Sequence, residues 1–523
     1  MLTHTDTAAA RVRESWFNRS LSGRWCVLGW VAAATIFLGL VALCGAPSQG
    51  DAAESVYSTW AIAHGYLSCA YAPASSFHFP GIARPGPFIA PLWPLLSGGL
   101  AAMIGIGHST PFPSQNALGP HCSTALVAMY HWSFRSSAIG QTVRLGYLSW
   151  LALMAGVVAL LRACGRGRCG WEPTALVLLA CIPAVWMPLV QFFHPQDLLA
   201  MGLALGSVAC ARRGWWAWAG ILVALAITSQ QFALLVAAPL IVIVPANRRV
   251  RFAAAAIAAA MLVIVPVVAV TSGRAFQAVV LGSGNTSTMA GIVGENHVPG
   301  ALLVILSRIL PIALSMVLAR WALHRLGSAV FDPVPLLSLV ATSLSFRLVF
   351  ERNISYYFMA LAVSLVLLDV VRGRIRWPLV VWLALVTPAF SAASWGFALT
   401  AEPWGIQWRE CFPLMAMALA VVLVGFDSIG GRMRWNLVAW LIGVGMVIAN
   451  LPPWAGTGLS HPLPTWFWQL GLLVAGVAMA VGPLVASARN DPGGVTCKWR
   501  GITVQSGRCF RTEAGSDLES IKS

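Results

Sequence analysis

The fold is decided by an apolar run near the start of the chain, WCVLGWVAAATIFLGLVALC, residues 25–44. Four arginines precede it: Arg11, Arg13, Arg19 and Arg24. About 20 apolar residues suffice for a helix to cross a hydrocarbon core about 30 Å thick. Since basic residues accumulate on the cytoplasmic side, the run is predicted to be a helix that leaves the cytoplasm. A cleaved signal peptide is the alternative, because residues 45–48 are small and turn-like, but its apolar core usually has only about 7–15 residues.

The composition places the whole chain in a bilayer. The chain has 523 residues, of which 58% are hydrophobic and 10% are charged, and its mean hydropathy is +0.76. A soluble domain carries roughly 25% charged residues, so this chain has too little polar surface to remain dispersed in water. The net charge of +16 therefore does not indicate a nucleic-acid partner, and the expected surroundings are a lipid bilayer.

Further apolar runs predict an all-α, polytopic membrane protein. They cover residues 143–161, 174–192, 198–211, 215–228, 232–245, 252–271, 301–319, 330–345, 356–371, 377–397, 411–426, 435–451 and 465–486. The runs that begin at Leu198, Trp215 and Phe232 are shorter than the roughly 17–25 residues usual for a span, so half-buried or re-entrant segments are the alternative for them. The sequence therefore predicts about 12–14 transmembrane helices.

The distribution of basic residues predicts the orientation. If the runs alternate in direction, segments on one side hold 25 Lys and Arg residues and segments on the other hold 7, with Arg308 inside a run. Cytoplasmic loops carry the excess of basic residues, so both termini are predicted to be cytoplasmic in a multi-pass protein of the cell inner (cytoplasmic) membrane. Residues 1–486 then form one membrane domain, and residues 487–523 form a flexible cytoplasmic tail.

The segment between the first two runs, residues 45–142, is predicted to be a large extracytoplasmic loop. Loops this long are uncommon unless they have a function, and this one is rich in aromatic residues, proline and histidine. Its apolar part, FIAPLWPLL at residues 88–96, contains prolines that argue against a span and for a helix packed at the membrane interface. Cys69 and Cys122 lie in this loop, where an oxidising exterior permits a disulfide between them.

Acidic residues gather at the ends of runs on the predicted outer side. They are Asp51, Glu54, Asp197, Glu295, Glu351, Glu402 and Glu410. Because charge within a membrane is costly and usually kept for function, the set predicts a polar cavity that opens outward. Ordinary loop charges or helix caps are the alternative.

Asp51 is the principal candidate for a catalytic base. It lies just beyond the first run, and Glu54 and Tyr57 follow at helical spacing, so Asp51 and Glu54 would share a helix face. Next to an apolar cavity, desolvation raises the pKa of a carboxylate and makes it a better base near neutral pH. The alternative is an aspartate that caps a short surface helix, and the pattern leaves open whether Asp51 or Glu54 is the base.

Two stretches of the chain resemble a family of membrane enzymes. The first, residues 51–71, contains Asp51, Tyr57, the pair His64-Gly65, and Tyr71. The second contains FHPQD at residues 193–197, AGILVALA at residues 219–226 and QQFALL at residues 230–235. Their order and spacing resemble those of the GT-C superfamily of polyprenyl-phosphate-dependent glycosyltransferases, and more closely bacterial glycosyltransferase family 87, a mannosyltransferase-like group. Gln230 departs from the pattern, because relatives often have a lysine at this position.

The resemblance implies an inverting hexosyltransferase. It would transfer a sugar, mannose by default, from a polyprenyl-phosphate donor to a lipid-linked or cell-envelope glycan acceptor on the outer side. Asp51 would take the proton of the acceptor hydroxyl. Arg347 and Arg352 would bind the departing phosphate, with a salt bridge to Glu351 as the alternative.

Five other residues are implied to bind the acceptor or support the base: Tyr57, His64, His194, Asp197 and Gln230. Helix capping after Pro195 is the alternative for His194 and Asp197. Cys164 and Cys169 lie close together on a predicted cytoplasmic loop but have no second pair of ligands nearby. No metal site and no cofactor are therefore expected.

Two further classes of function are compatible with the sequence. One is a transporter or flippase of a lipid-linked saccharide, which would place charged residues deep within spans and show some repeat symmetry. The other is a polysaccharide ligase or polymerase that uses a diphosphate donor. The gathering of acids on one side favours the glycosyltransferase.

Overall fold

A computed structural model gives the fold of much of the chain. It describes residues 26–42, 50–71, 78–79, 82–83, 90–105, 138–166, 171–189, 193–271, 275, 300–350, 354–373, 375, 379, 383, 481–482, 484–485, 487, 496–499 and 502–505. Within this part, three helices are long and apolar enough to cross a membrane: Arg144–Ala163, Ala246–Val270 and Arg308–Phe331. The described chain is predominantly helical, which agrees with the predicted all-α membrane protein.

The helices are introduced here in chain order. They are α1 (Cys26–Ala42), α2 (Gly50–Ala63), α3 (Leu92–Met103), α4 (Ala138–Ala163), α5 (Trp171–Cys181), α6 (Pro183–Met187), α7 (Pro195–Arg212), α8 (Trp216–Ser229), α9 (Leu234–Ile243), α10 (Ala246–Val270), α11 (Gly300–Leu326), α12 (Pro333–Phe350) and α13 (Ile354–Arg372). Short 3-10 turns cover Leu67–Cys69, Gln231–Ala233 and Gly327–Phe331.

Two antiparallel hairpins complete the described secondary structure. Strand β1 (His78–Phe79) pairs with β2 (Ile82–Ala83), and His78 lies opposite Ala83. Strand β3 (Thr496–Trp499) pairs with β4 (Ile502–Gln505), and Thr496 lies opposite Gln505. The first hairpin falls in the predicted outer loop and the second in the predicted cytoplasmic tail.

Most described helices coincide with the apolar runs, but the run at residues 174–192 forms two helices rather than one. Ile182, between α5 and α6, has an extended backbone (φ −76°, ψ 123°), and Pro183 occupies the first position of α6. Proline has no N–H to donate to the preceding turn, and it disfavours a helical conformation at the residue before it. The predicted runs from residue 377 onward lie almost entirely outside the described residues.

The apolar segment at residues 88–96 contributes the start of α3, which begins directly after Pro91. Leu92, Trp93 and Pro94 are buried. Gly98 of α3 faces α2 so closely that an added Cβ would lie 2.8 Å from the carbonyl oxygen of Thr59. α3 is therefore packed against α2.

Among the described residues, α4 and α7 cross at close contact. A Cβ added at Gly156 would lie 2.2 Å from the carbonyl oxygen of Gly202, and one added at Gly202 would lie 2.4 Å from that of Ala152. Small residues at such crossings let helix backbones approach in membrane proteins, where packing rather than water exclusion drives association. This crossing fixes α7, whose first turn carries His194 and Asp197, against α4.

The buried core and the exposed apolar surface belong to different helices. Residues 359–371 of α13 are all buried, and the apolar ones among them join the main core with residues of α4, α5, α7 and α9. In contrast, α10 and α11 expose large apolar side chains, among them Leu262 (79%) and Val317 (67%). Exposed apolar surface of this extent is expected where helices face lipid.

Arginines cap the ends of other helices on the predicted cytoplasmic side. The Nε of Arg166 donates to the carbonyl of Val371 (3.0 Å) at the end of α13. The Nε of Arg212 donates to the carbonyl of Ala163 (2.9 Å) at the end of α4. The last carbonyls of a helix have no partner within it, so these guanidinium groups satisfy acceptors and oppose the negative end of the helix dipole.

Two further arginines on this side also make defined contacts: Arg249 binds backbone carbonyl groups, and Arg162 binds a carboxylate. The Nε of Arg249 donates to the carbonyl of Val244 (3.0 Å), just after α9. Arg162 binds Glu172 through two hydrogen bonds of 3.1 and 3.0 Å, and the Glu172 side chain is fully buried. Arg249 therefore fastens the start of α10 to the end of α9, and Arg162 fastens the end of α4 to the first turn of α5.

Candidate functional site

Helix α2 carries the predicted catalytic carboxylates. It includes Asp51, Glu54 and Tyr57, although the side chains of Asp51 and Glu54 lie outside the described residues. Ser55, the next residue after Glu54, is buried and donates its hydroxyl to the carbonyl of Phe193 (3.2 Å). This contact brings the first turns of α2 beside the segment that precedes α7.

Tyr57 and His64 make contacts within the outer-loop region. The buried Tyr57 hydroxyl donates to the carbonyl of Cys69 at 2.5 Å. The Nδ1 of His64 lies 3.0 Å from the carbonyl of Trp60. These contacts fasten α2 to the turn that follows it, and the substrate roles implied for Tyr57 and His64 stay predictions.

A disulfide and a buried tyrosine strengthen the same region. Cys69 is disulfide-bonded, and its predicted partner, Cys122, lies outside the described residues. Tyr71 is buried, and desolvation raises the pKa of its phenol well above the ordinary value. The turn after α2 is thus anchored by covalent and apolar contacts.

The segment before α7 has an unusual backbone. Phe193 has φ 52°, in the left-handed region that non-glycine residues rarely adopt. The N–H of His194 donates to the carbonyl of Pro188 at 2.6 Å, and the Phe193 ring packs against Gly146 of α4. His194 occupies the N-cap position of α7, but its side chain makes no capping hydrogen bond. The conformation therefore turns the chain sharply before α7 begins.

A buried polar cluster joins the start of α7 to the segment after α8. The Nε2 of Gln230 donates to Oδ1 of Asp197 at 2.6 Å, and Nδ1 of His194 lies 3.6 Å from Oδ2 of Asp197. The Asp197 side chain is 0% exposed. Ser229 donates its hydroxyl to the carbonyl of Gln196 (2.9 Å). Three predicted site residues, separated by up to 36 positions in sequence, are therefore in contact.

Gln230 also links this cluster to a cavity. Its Oε1 accepts a hydrogen bond from the N–H of Gln231 at 3.0 Å. Gln231 lines a small cavity of about 40 Å³, together with Leu234, Leu235, Arg308, Pro311, Ile312 and Arg347. Gln230 therefore connects Asp197 to a residue that lines the cavity.

The cavity brings together two arginines from different helices. Arg347 of α12 is a predicted phosphate-binding residue, whereas Arg308 of α11 is not. Both side chains have further interactions within the protein. Two guanidinium groups among apolar walls can bind an anionic group such as a phosphate through charge-assisted hydrogen bonds. The sequence signal for Arg308 was its place as the charged residue inside the apolar run at residues 301–319.

Two elements of the predicted site cannot be placed, and one class of site is not found. Glu351 and Arg352 lie outside the described residues, so the predicted phosphate contact of Arg352 and its alternative pairing with Glu351 stay predictions. In the part of the chain that the structure describes, no group of three His, Cys, Asp or Glu side chains could hold a metal ion. The cavity is lined by α9, α11, α12 and the turn before α9, while α2 contacts the segment that precedes α7.

The comparisons with known proteins assign no family to this arrangement. No protein-family model matches the chain, and no curated protein matches it.

Proposed function

We propose that the protein is an inverting membrane glycosyltransferase that uses a polyprenyl-phosphate sugar. The sugar, mannose in the simplest case, is transferred to a lipid-linked or cell-envelope glycan on the extracytoplasmic side. The observation that carries the proposal is the cavity that contains Arg308 and Arg347 and is joined, through Gln231 and Gln230, to buried Asp197.

The cavity has the chemistry that a lipid-phosphate donor requires. Its walls include Leu234, Leu235 and Ile312, which suit the first isoprene units, and its two arginines suit a phosphate. The exposed apolar surface of α11, which includes Ile309 (58%) and Val317 (67%), allows a lipid to approach from the bilayer. A donor that diffuses within the membrane needs no nucleotide-binding domain.

The position of α2 supplies the catalytic carboxylate in this proposal. Ser55 touches the carbonyl of Phe193, four residues before Asp197 in the polar cluster, so Asp51 and Glu54 belong to a helix that reaches this region. Asp51 is assigned as the base and Glu54 is its alternative. His194, Asp197 and Gln230 form the polar side of the proposed site, while Tyr57 and His64 stabilise α2 and the turn that follows it.

The proposed reaction is a single displacement. The acceptor hydroxyl oxygen attacks the anomeric carbon, and its proton passes to the carboxylate of Asp51. The bond between the anomeric carbon and the phosphate oxygen breaks, and its electron pair stays on that oxygen. Arg308 and Arg347 stabilise the resulting negative charge on polyprenyl phosphate, which is the type of electrostatic stabilisation that contributes most in comparable reactions.

The disulfide supports an extracytoplasmic site. Cys69 is disulfide-bonded, and disulfides persist in oxidising compartments. Cys164 and Cys210, which the sequence places at the cytoplasmic side, are free thiols. A disulfide at Cys69 is therefore compatible with an oxidising exterior on the side proposed for the site.

Sugar transfer by membranes that contain the full-length protein tests the proposal. Wild type and Asp51→Asn are supplied with a panel of radiolabelled polyprenyl-phosphate sugars and an envelope-lipid extract. We expect transfer by wild type with one donor and its loss in Asp51→Asn. Arg308→Gln should lower the rate by about 10²–10³-fold, the usual effect of removing one charge-stabilising group. Arg320→Gln, which removes an exposed charge from the same helix, is the matched control.

Other outcomes would point to different functions. Absence of transfer with every donor, from folded protein, would refute the proposal and make translocation of a lipid-linked saccharide the next assay. Transfer that requires a diphosphate donor would identify a ligase or polymerase instead. Equal residual activity in Asp51→Asn and Glu54→Gln would refute the assignment of a base on α2.

A further inference from the structure

We infer that the N-terminal ends of α8 and α10 form a binding site for the headgroup of an anionic phospholipid. The site consists of Arg213, Trp215, Trp218, Arg248 and Arg251, called here the basic–aromatic patch. It lies outside the cavity described above and does not depend on the proposed glycosyl transfer.

The patch is assembled by a close helix crossing. A Cβ added at Gly220 of α8 would lie 2.3 Å from the carbonyl oxygen of Phe252 of α10. Trp218 lies within one helical turn of Gly220, and both Arg248 and Arg251 lie within about one turn, roughly 3.6 residues, of Phe252. The crossing therefore brings tryptophans of one helix and arginines of the other to the same end of the pair.

The aromatic side chains of the patch are exposed. Trp215 is 53% exposed and Trp218 is 60% exposed, although tryptophan is among the side chains that most favour removal from water. The guanidinium carbon of Arg213 lies 5.3 Å from the centre of the Trp215 ring, which is within cation–π range. Exposed tryptophan beside arginine is the pattern of a membrane–water interface, where the ring sits at headgroup level.

The charges of the patch are not neutralised within the described part of the protein. Among the described residues, no ion pair involves Arg248 or Arg251. Arg249, between them, differs because it donates to the carbonyls of Val244 and Val242 at 3.0 and 3.2 Å. Arg248 and Arg251 are exposed at the helix start, where an anionic headgroup can reach them.

The rest of α10 indicates where the acyl chains would lie. Beyond the arginines, α10 exposes Ile257 (62%), Met261 (52%) and Leu262 (79%). At its far end, Val267 packs with Ala61 and Tyr71 of the outer-loop region. The exposed apolar surface thus runs from the patch toward the opposite side of the membrane, as the acyl chains of a lipid do. Charge complementarity and this continuity select an anionic phospholipid as the occupant.

Lipid binding to the purified full-length protein tests the inference. The delipidated protein in detergent is titrated with phosphatidylglycerol or with phosphatidylcholine of the same acyl chains, and retained lipid is measured by native mass spectrometry. We expect wild type to prefer phosphatidylglycerol. Because each arginine near an anionic surface contributes to attraction, Arg248→Gln/Arg251→Gln should lower that preference by roughly 10- to 30-fold. Arg320→Gln/Arg325→Gln removes the same number of positive charges from α11 and should leave the preference for phosphatidylglycerol unchanged.

Two results would overturn the inference. One is an unchanged preference in the Arg248→Gln/Arg251→Gln protein, and the other is an equal loss in the Arg320→Gln/Arg325→Gln control, since net charge alone would then explain the binding. If the patch variant does not fold, the salt dependence of lipid binding by wild type is the test. The preference for phosphatidylglycerol must fall as the salt concentration rises. A preference that stays unchanged at high salt would contradict headgroup binding by arginine.

Discussion

Replacement of Gly202 by alanine is expected to force α4 and α7 apart. The added Cβ would lie 2.4 Å from the carbonyl oxygen of Ala152, 2.5 Å from its carbonyl carbon and 2.7 Å from the nitrogen of Leu153. All three atoms belong to the backbone of α4, so no side-chain rotation can remove the overlap. The helices must separate until these distances exceed 3.0 Å, the limit below which real Cβ contacts essentially do not occur.

The energetic cost of Gly202→Ala follows from two opposing effects. Overpacking of a close contact costs about 1–3 kcal/mol, while alanine stabilises a helix by about 0.5–1 kcal/mol relative to glycine. With an unfolding entropy of about 2.1 cal/mol/K per residue over 523 residues, a net loss of about 1–2 kcal/mol corresponds to a fall in apparent Tm of roughly 1–2 °C. Since α7 carries His194 and Asp197, we also expect sugar transfer to decrease.

Gly206→Ala is the matched control for this experiment. Gly206 lies about one turn further along α7, and an added Cβ there would lie 3.3 Å from Cδ1 of Leu222, the end of a flexible side chain. Both variants are purified in the same detergent, and their apparent Tm is followed by scanning fluorimetry. Gly206→Ala should match or slightly exceed wild type. If Gly202→Ala is as stable and as active as Gly206→Ala, the close crossing does not position α7 and the reasoning fails.

Three further predictions concern single side chains. Burial raises the pKa of the Cys164 thiol to about 11. Because the thiolate is the reactive form, maleimide labelling of Cys164, measured by peptide mass spectrometry, should be slow at neutral pH and accelerate as the pH approaches that pKa. Equal labelling rates in folded and detergent-unfolded protein would contradict this. Tyr57→Phe removes the hydroxyl that donates to the carbonyl of Cys69 and should cost about 1–3 kcal/mol, so an unchanged apparent Tm would argue against the bond. Gln230→Glu places a second carboxylate beside Asp197, whereas Gln230→Lys keeps a hydrogen-bond donor at this position. The Glu variant should therefore give a lower yield of folded protein in size-exclusion chromatography than the Lys variant. A higher yield for the Glu variant would exclude the Gln230–Asp197 contact.

The sequence predicted the helices better than it predicted their contacts. An apolar run records burial or lipid exposure along one segment, which is why α4, α10 and α11 coincide with predicted runs. The break at Pro183 has a local cause that the sequence displays, yet hydropathy alone joined α5 and α6. The count of about 12–14 transmembrane helices stays a prediction.

The candidate site depends on contacts that no local pattern contains. Gln230 and Asp197 lie 33 residues apart, and Arg308 and Arg347 belong to different helices, so only the packing of the helices brings them to one cavity. The resemblance to glycosyltransferases drew attention to Arg347, Asp197 and Gln230 separately. It did not indicate Arg308, whose isolated charge within an apolar run was the available signal.

The arginine caps give a single residue two uses at different times. In the predicted topology, the charge of Arg166 or Arg212 helps to determine during insertion which side of the membrane a loop occupies. After folding, the same guanidinium groups donate to the carbonyls of Val371 and Ala163. Lysine keeps the charge but not the planar fork of donors. An Arg→Lys exchange at these positions should therefore leave membrane insertion and topology unchanged but lower the stability of the folded protein.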